Sequence, residues 1–194
     1  MRVVAGELRG RRLSSAPGRE TRPTSERARA GLFDWLGGHV AGARVLDLFA
    51  GTGALGIEAL SRGASEVVFV EHSRGALRAL RKNVAELALE ARALVVERDL
   101  SRGLGERVTE GGGFDLVFAD PPYEGDWRAR LMACDTLARL LNRDAVVITE
   151  RSLRSAAEPD GPRLRLRGSK RYGETAFDWY DNSAETAEPG RAEP

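Results

Sequence analysis

Three glycines in the spacing G-x-G-x-x-G mark the first candidate site of this 194-residue chain. Gly51, Gly53 and Gly56 follow the β-rich run RVLDLF and precede a helical pattern. Such a loop lets a cofactor approach the backbone closely, because glycine lacks the Cβ that would obstruct it, and the strand-to-helix position is typical of nucleotide-cofactor sites. We therefore expect Ala50, Gly51, Thr52 and Gly53 to contact a cofactor, and Gly56 to allow the following helix to lie near the strand.

Two acidic residues at strand ends narrow the choice of cofactor. Glu71 lies twenty residues after Gly51, where a carboxylate can accept both hydrogen bonds of a ribose diol. Asp47, four residues before Gly51, would repel the pyrophosphate of a dinucleotide but attract the ammonium group of a methionine moiety. The loop alone fits both ligand classes, and Asp47 favours S-adenosylmethionine, with S-adenosylhomocysteine as product. The alternative is a tight turn that binds no ligand, but it would leave the positions of both acids to coincidence.

Asp99 and Leu100 are further candidate cofactor contacts, because they follow the third β-rich run, ALVVE. Asp99 can accept a hydrogen bond from an adenine amino group. It can equally cap a helix, and its position after a strand suits both roles.

The second candidate site is the sequence DPPY, from Asp120 to Tyr123. It follows the run FDLVFA, at the carboxyl edge where open α/β sheets bind ligands. Pro121 and Pro122 fix φ and remove two N–H donors, so the segment presents two acceptors, the Asp120 carboxylate and the Pro121 carbonyl. Tyr123 adds a planar face. Two acceptors and a stacking ring suit the exocyclic amino group of a nucleobase, whereas the plain alternative is a strand that ends at two prolines.

The chemistry of such an amine explains why the residues of the DPPY segment are candidates for catalysis. Its lone pair is delocalised into the ring, so it is a poor nucleophile. Acceptors on its hydrogens would favour a pyramidal nitrogen whose lone pair faces the sulfonium methyl group, and catalysis would consist of positioning and electrostatics. Asp120 and water are both candidates to take the proton afterwards.

Strand and helix patterns alternate along the chain, which predicts βαβ units and a parallel sheet. The predicted strands are Arg44–Phe49, Glu66–Glu71, Ala93–Glu97, Phe114–Ala119 and Ala145–Glu150. Alternating apolar residues near Leu164 and Phe177 predict a closing antiparallel hairpin. We expect one α/β domain with a Rossmann-like, mostly parallel seven-stranded sheet and helices on both faces.

Three helices are predicted from caps and apolar spacing. One runs from Thr24 or Ser25 to Gly37, one from Ser73 to Leu87, and one over Trp127–Leu141. The expected organisation is a basic β-arm at residues 1–23, the domain at 24–181 and an acidic tail at 182–194 with too little apolar surface to fold.

Composition restricts the class of protein. A single cysteine and the lack of an apolar run of roughly 20 residues argue against a disulfide scaffold and a membrane span, so a cytoplasmic monomer without metal is expected. The net charge of +1 divides unevenly: residues 1–29 and 151–171 each carry +5, the last fourteen carry −3 and the remainder −6. Basic ends around an acidic centre favour a nucleic-acid partner.

The run LDLFAGTGALGIEALSRGA at residues 46–64, with Glu71 and DPPY, resembles the class I S-adenosylmethionine-dependent methyltransferases. RVVAGELRGRRL at 2–13, TRPT at 21–24 and RYGET at 171–175 resemble the bacterial RsmD family, which methylates guanine N2 in 16S ribosomal RNA. The resemblance implies 16S rRNA, in an assembling or assembled small ribosomal subunit, as partner. The RNA-binding residues implied are Arg2, Arg9, Arg11, Arg12, Arg22, Thr24 and Arg171. The chain departs from the family's usual residues at Ser25, Glu26, Ala30 and Asp34, outside both candidate sites.

Three other functions fit parts of the pattern. An adenine-N6 methyltransferase of DNA or RNA would use the same loop and acceptors, although the DNA enzymes usually carry a separate target-recognition region. A glutamine-N5 protein methyltransferase typically has Asn in place of Asp120. A non-catalytic RNA-binding assembly factor would retain the cofactor fold without turnover.

Overall fold

A computed structural model describes residues 1–15, 25–111, 113–122, 126–158 and 160–182, and the strands in these ranges form one seven-stranded sheet. The strands are β1 (Arg44–Leu48), β2 (Glu66–Glu71), β3 (Ala93–Glu97), β4 (Phe114–Ala119), β5 (Leu141–Ser152), β6 (Leu164–Tyr172) and β7 (Thr175–Asn182). Their order is β3-β2-β1-β4-β5-β7-β6. The first five strands pair in parallel, and β7 is antiparallel to β5 and β6. The expected fold class is confirmed.

The described helices are α1 (Glu26–Leu36), α2 (Ala54–Ser61), α3 (Arg74–Glu86), α4 (Glu106–Thr109), α5 (Trp127–Met132) and α6 (Asp135–Arg139). Ser25 caps α1, because its side-chain oxygen accepts the N–H of Ala28 at 3.1 Å. Gly37, with φ of +52°, ends that helix as predicted. Within the described ranges, no helix is both long and apolar enough to cross a membrane.

The single helix predicted over Trp127–Leu141 is wrong. Cys134 has extended backbone and its Sγ accepts the N–H of Leu137 at 3.5 Å, so it begins the separate helix α6. Leu141 belongs to β5, which begins there rather than at Ala145. The apolar spacing suggested one helix because two short helices and the start of a strand bury their apolar residues in the same core.

Apolar side chains cover both faces of the sheet. In β1, Val45 and Leu46 enter opposite cores, as the two-residue period of a strand requires. The core that contains Val45 also contains apolar residues of α1, α2 and α3, and the core that contains Leu46 also contains residues of α4, α5 and α6. Burial on both faces leaves the carboxyl edge of the parallel strands as the place for a ligand.

The N-terminal arm, described over residues 1–15, is packed onto the domain. Val3 and Leu13 are 2% and 6% exposed and belong to the core beneath α1 and α2. Arg2 and Arg12 form an antiparallel bridge that closes the arm into a loop. The described part of the arm is therefore integral to the domain rather than a free extension.

Candidate active site

The glycine loop joins β1 to α2 at the carboxyl edge of the sheet. Gly53 has φ of +83°, and a Cβ there would lie 2.5 Å from Leu80 Cδ1. A Cβ at Gly56 would lie 2.3 Å from the Phe69 ring of β2, so this glycine lets α2 pack closely on the sheet, as predicted. Gly51 faces open space, because the nearest atom to a Cβ there would be the Phe49 carbonyl oxygen at 4.0 Å. The loop is therefore closely packed where Gly53 and Gly56 face α3 and β2, and it is open to a ligand at Gly51.

Phe49 is a site residue that the sequence did not suggest. Its φ of +60° is unfavourable for a side chain with a Cβ. The conformation is held because the next residue, Ala50, donates its N–H to the Val70 carbonyl at 3.0 Å, and the Phe49 ring packs edge-on against Trp127 with centroids 5.2 Å apart. Backbone strain that neighbours hold in place is typical of ligand sites.

Asp47 lies beneath the loop and is 2% exposed. Its Oδ2 accepts the Gly56 N–H at 2.9 Å. Desolvation raises the pKa of Asp47 to about 7; the bond from Gly56 opposes this shift, and the charge of Glu71 adds to it. A cation above the loop would favour the ionised form, which suits the predicted ammonium group.

Glu71 holds the loop against the end of β2. Its Oε2 accepts the Gly51 N–H at 2.8 Å, and its Oε1 accepts the N–H groups of His72 and Ser73 at 2.8 and 2.7 Å. A carboxylate has about four acceptor positions. These three bonds leave room for one ribose hydroxyl, so accepting both hydroxyls would require one backbone bond to be released.

Asp99 caps the short 3-10 turn Leu100–Arg102. Its Oδ1 accepts the Ser101 N–H at 2.9 Å, and hydrogen bonding to Ser101 lowers the pKa of Asp99. Leu100 is half-buried against the core. The capping role is thus observed, while the contacts of Asp99 and Leu100 with adenine stay predictions.

Asp120 follows β4 directly, beside the glycine loop. Ala119 pairs in register with Thr149 of β5, so Asp120 and Glu150 are the next residues on adjacent strands. The Asp120 residue retains exposed surface, but desolvation of its carboxyl group, followed by the charges of Glu150 and Asp47, raises its pKa well above the ordinary value. A carboxyl group in this setting is a better proton acceptor than an ordinary aspartate.

The rest of the DPPY segment is described only in part. Pro121 is buried and Pro122 is exposed. Tyr123 lies outside the described residues, so its predicted stacking role stays a prediction.

Glu150 is a second residue that the sequence analysis missed. It is 6% exposed, and its Oε1 lies 3.4 Å from the Thr175 hydroxyl that donates to it. Thr175 is the last residue of the run RYGET, so this run reaches the carboxyl edge of the sheet. The sequence could have indicated this residue, because Glu150 ends the predicted strand AVVITE in the same way as Glu71 ends EVVFVE.

Asn83 is the third missed residue, a buried amide between the arm and the glycine loop. It donates to the Thr52 carbonyl at 2.9 Å and accepts the Ser14 N–H at 2.7 Å. The sequence feature that could have identified Asn83 is its position as a polar residue on the apolar face of α3, between Leu80 and Val84.

The candidate RNA-binding arginines of the described residues lie on two segments, the arm and β6. Arg2, Arg9, Arg11 and Arg12 are exposed on the arm, which covers α2 and α3, and Arg171 is exposed on β6. Arg11 already donates to the Glu86 carbonyl at 2.8 Å. Arg22 and Thr24 lie outside the described residues.

Within the described ranges, no group of three or more His, Cys, Asp or Glu side chains is arranged to hold a metal ion.

Comparisons with known proteins show the family of this chain. The family model described as Conserved hypothetical protein 95 matches residues 1–181. Ribosomal RNA small subunit methyltransferase D of Escherichia coli strain K12 is 32% identical over 190 residues, which are 95% of this chain and 91% of the relative.

Solved structures show the same relationship. The yhhF protein of Escherichia coli, described as a methyltransferase, is 32% identical with a TM-score of 0.81, covering 95% of this chain and 99% of the other. A hypothetical protein of Thermus thermophilus is 32% identical with a TM-score of 0.76, covering 92% and 98%.

Proposed function

Because the chain belongs to the Conserved hypothetical protein 95 family and is a methyltransferase, we propose that it methylates the exocyclic N2 of a guanine in 16S ribosomal RNA. The methyl donor is S-adenosylmethionine. The observation that carries the proposal is the adjacency of the two sites: the glycine loop follows β1, Asp120 follows β4, and these strands pair with Leu48 opposite Ala119. A donor on the loop and an amine at Asp120 would share one crevice.

The loop residues fit the methyl donor. The open space above Gly51 admits a ligand close to the backbone. Asp47 is a buried acid that a ligand ammonium group would stabilise in its charged form, and Glu71 retains an acceptor position for a ribose hydroxyl. When bound, S-adenosylmethionine supplies a methyl group on a positively charged sulfur.

The residues after β4 supply the second half of the chemistry. The Asp120 carboxylate and the Pro121 carbonyl would accept the two hydrogens of the guanine amine and aim its lone pair at the methyl group. Methyl transfer would form a nitrogen–carbon bond in place of the carbon–sulfur bond of the donor, and Asp120 or water would take the proton that the nitrogen releases. The raised pKa of Asp120 favours Asp120 as the acceptor.

The distribution of arginines supports RNA as the substrate. In the sheet order, β4 lies between the side covered by the arm and the opposite edge strand β6. Arg9 and Arg12 on one side and Arg171 on the other could therefore contact phosphates on both sides of Asp120. We further propose that the protein acts as a cytoplasmic monomer on an assembling or assembled small subunit.

The decisive experiment incubates unmodified small ribosomal subunits with the protein and labelled S-adenosylmethionine, followed by mass spectrometry of the nucleosides. We expect N2-methylguanosine, and none with Asp120→Ala. Methyladenosine in its place would identify an adenine-N6 enzyme. Cofactor binding with RNA association but no methylated nucleoside would identify an assembly factor.

Substitutions test the RNA surface better than deletion of the arm. Removing residues 2–13 would also remove Val3 and Leu13 from the core, so its effect on RNA could not be separated from unfolding. We expect Arg9→Ala and Arg12→Ala to weaken RNA association and to flatten its salt dependence. Unchanged affinity and salt slope would exclude both side chains as phosphate contacts.

A further inference from the structure

Asn83 connects two segments that are distant in sequence. It is 1% exposed on the buried face of α3. Its Oδ1 accepts the Ser14 N–H at 2.7 Å, and its Nδ2 donates to the Ser14 carbonyl at 3.2 Å and to the Thr52 carbonyl at 2.9 Å. Both polar atoms of the amide therefore form hydrogen bonds, the oxygen with the backbone of the arm and the nitrogen with the backbones of the arm and the glycine loop.

The bond to Thr52 acts on the most permissive part of that loop. Thr52 lies between Gly51 and Gly53, whose φ angles are +57° and +83°. Glycine has more accessible conformations than other residues, so holding this segment in one conformation costs more entropy. A fixed Thr52 carbonyl reduces that cost before any ligand binds.

We propose that Asn83 is a positioning residue for the cofactor loop, through which the N-terminal arm increases cofactor affinity without touching the cofactor. The proposal rests on the proposed function in one respect, that the glycine loop binds S-adenosylmethionine. Without the bond to Thr52, the loop populates other conformations, and the apparent affinity falls in proportion to the competent fraction. A bound cofactor itself holds the loop, so turnover at saturation changes little.

The amide is suited to this position because it combines one acceptor with two N–H donors. In Asn83→Asp, the carboxylate could still accept the Ser14 N–H but would oppose the carbonyl oxygens of Ser14 and Thr52. In Asn83→Ala, all three bonds are absent. Both variants therefore release the loop, and they differ in whether the arm keeps its bond.

The test measures binding of S-adenosylhomocysteine to the full chain by calorimetry. We expect Asn83→Ala to bind about tenfold more weakly than the wild type, because the glycine loop loses its one hydrogen bond from Asn83, and tenfold is the upper end of what one such bond contributes. The KM for S-adenosylmethionine should rise similarly, while kcat stays within about twofold, because uniform binding has been removed.

The arm's part is tested at Ser14, whose backbone makes both contacts with Asn83. Ser14→Pro removes the N–H, and Ser14→Ala keeps both backbone groups and serves as the matched control. We expect several-fold weaker binding in Ser14→Pro and wild-type binding in Ser14→Ala. If Ser14→Pro fails to fold, the result for Asn83→Ala decides.

A measurement without cofactor separates this proposal from the proposed function. Amide hydrogen exchange of Thr52 and Gly53 should be faster in Asn83→Ala than in the wild type, with exchange in β1 unchanged. Failure of the wild type to bind S-adenosylhomocysteine would refute the proposed cofactor. Wild-type affinity in a folded Asn83→Ala protein, or unchanged exchange in the loop, would overturn the positioning role.

Discussion

Acidic residues in the described part of this molecule occur in two contrasting electrostatic settings. Away from the crevice, two of them are matched by arginine: Glu58 lies 3.4 Å from Arg29 and 2.9 Å from Arg62, and Asp178 lies 2.7 Å from Arg151. Beside the glycine loop, the charges that shift the pKa values of Asp47 and Asp120 are those of other acids. We propose that the first setting holds groups that stabilise the fold and the second holds groups that bind a ligand.

The difference has a thermodynamic meaning. A paired buried acid stabilises the folded state only together with its partner, and removal of the partner leaves an uncompensated charge. An acid whose pKa is raised by burial destabilises the folded state when it ionises. Asp47 therefore lowers stability at neutral pH, and a cationic ligand would reverse part of that cost.

The largest expected effect is the loss of Glu58. Its carboxylate also accepts the N–H groups of Val4 and Ala5 at 2.8 and 3.0 Å, so Glu58→Ala leaves Arg29 without this countercharge and the arm without an acceptor. We expect the free energy of unfolding to fall by about 3–5 kcal/mol in urea titrations. Glu58→Gln, which retains an acceptor oxygen, should lose less. A loss below about 1 kcal/mol in Glu58→Ala would remove the contrast between the two settings.

The next effect is on catalysis. Asp120→Ala should lower methyl transfer by at least about 10²-fold, because the amine loses an acceptor and its closest base. Binding of S-adenosylhomocysteine and stability should not fall, in contrast to Glu58→Ala. Asp144→Asn is the matched control, since Asp144 is an exposed acid at the other end of β5. Full activity of Asp120→Ala would exclude the site.

Asp47→Asn should stabilise the protein. Since burial raises the pKa of Asp47 from 3.8 to about 7, the folded state retains a proton that the unfolded state releases, and this group costs progressively more stability as pH rises through that interval. The full shift corresponds to about 4 kcal/mol at pH 8, and the buried N–H donors of the new asparagine offset part of it. Urea titrations should therefore show a gain of about 2 kcal/mol at pH 8 and a much smaller gain at pH 5. If Asp47→Asn were less stable than the wild type at pH 8, another group would have to compensate the buried charge of Asp47 in the folded state.

Cofactor affinity should depend on the same group. A ligand ammonium group requires ionised Asp47, so the affinity for S-adenosylhomocysteine should rise about tenfold between pH 6 and pH 8, as the carboxyl group with a pKa of about 7 loses its proton. Calorimetry should show weaker and nearly pH-independent binding in Asp47→Asn. The same pH dependence in both proteins would assign it to another group.

The smallest effect belongs to a charge on the surface. Lys82 and Glu86 are 3.7 Å apart on α3, with side chains 60% and 53% exposed. Glu86→Gln should change the free energy of unfolding by no more than about 0.5 kcal/mol. A loss comparable to that of Glu58→Ala would mean that burial does not distinguish the pairs.

Features that depend on local sequence were predictable. The runs RVLDLF and EVVFVE predicted β1 and β2 because buried parallel strands are continuous and rich in β-branched residues. Gly56 was assigned to close packing of helix and strand, which its approach to Phe69 confirms. The order of the predicted elements also indicated that the site consists of two segments, each at the end of a strand.

Features that depend on contacts between distant segments were not predictable. Nothing near Glu58 in sequence shows that the N–H groups of Val4 and Ala5 donate to it, and nothing near Asn83 identifies Thr52 as its partner. The break at Cys134 was also hidden, because helix and strand bury apolar residues at overlapping spacings over so short a segment. Such arrangements are determined by tertiary packing rather than by local preference.

The tethering of the arm sets an order of events in folding. Val4, Leu8 and Ser14 form their hydrogen bonds with residues 58, 61 and 83, so these contacts close loops of 54, 53 and 69 residues. Closure of long loops is slow relative to formation of helices and neighbouring strands. During synthesis the arm must therefore wait for α2 and α3, which are made after it, before it docks, and its contact with Asn83 completes the support of the glycine loop.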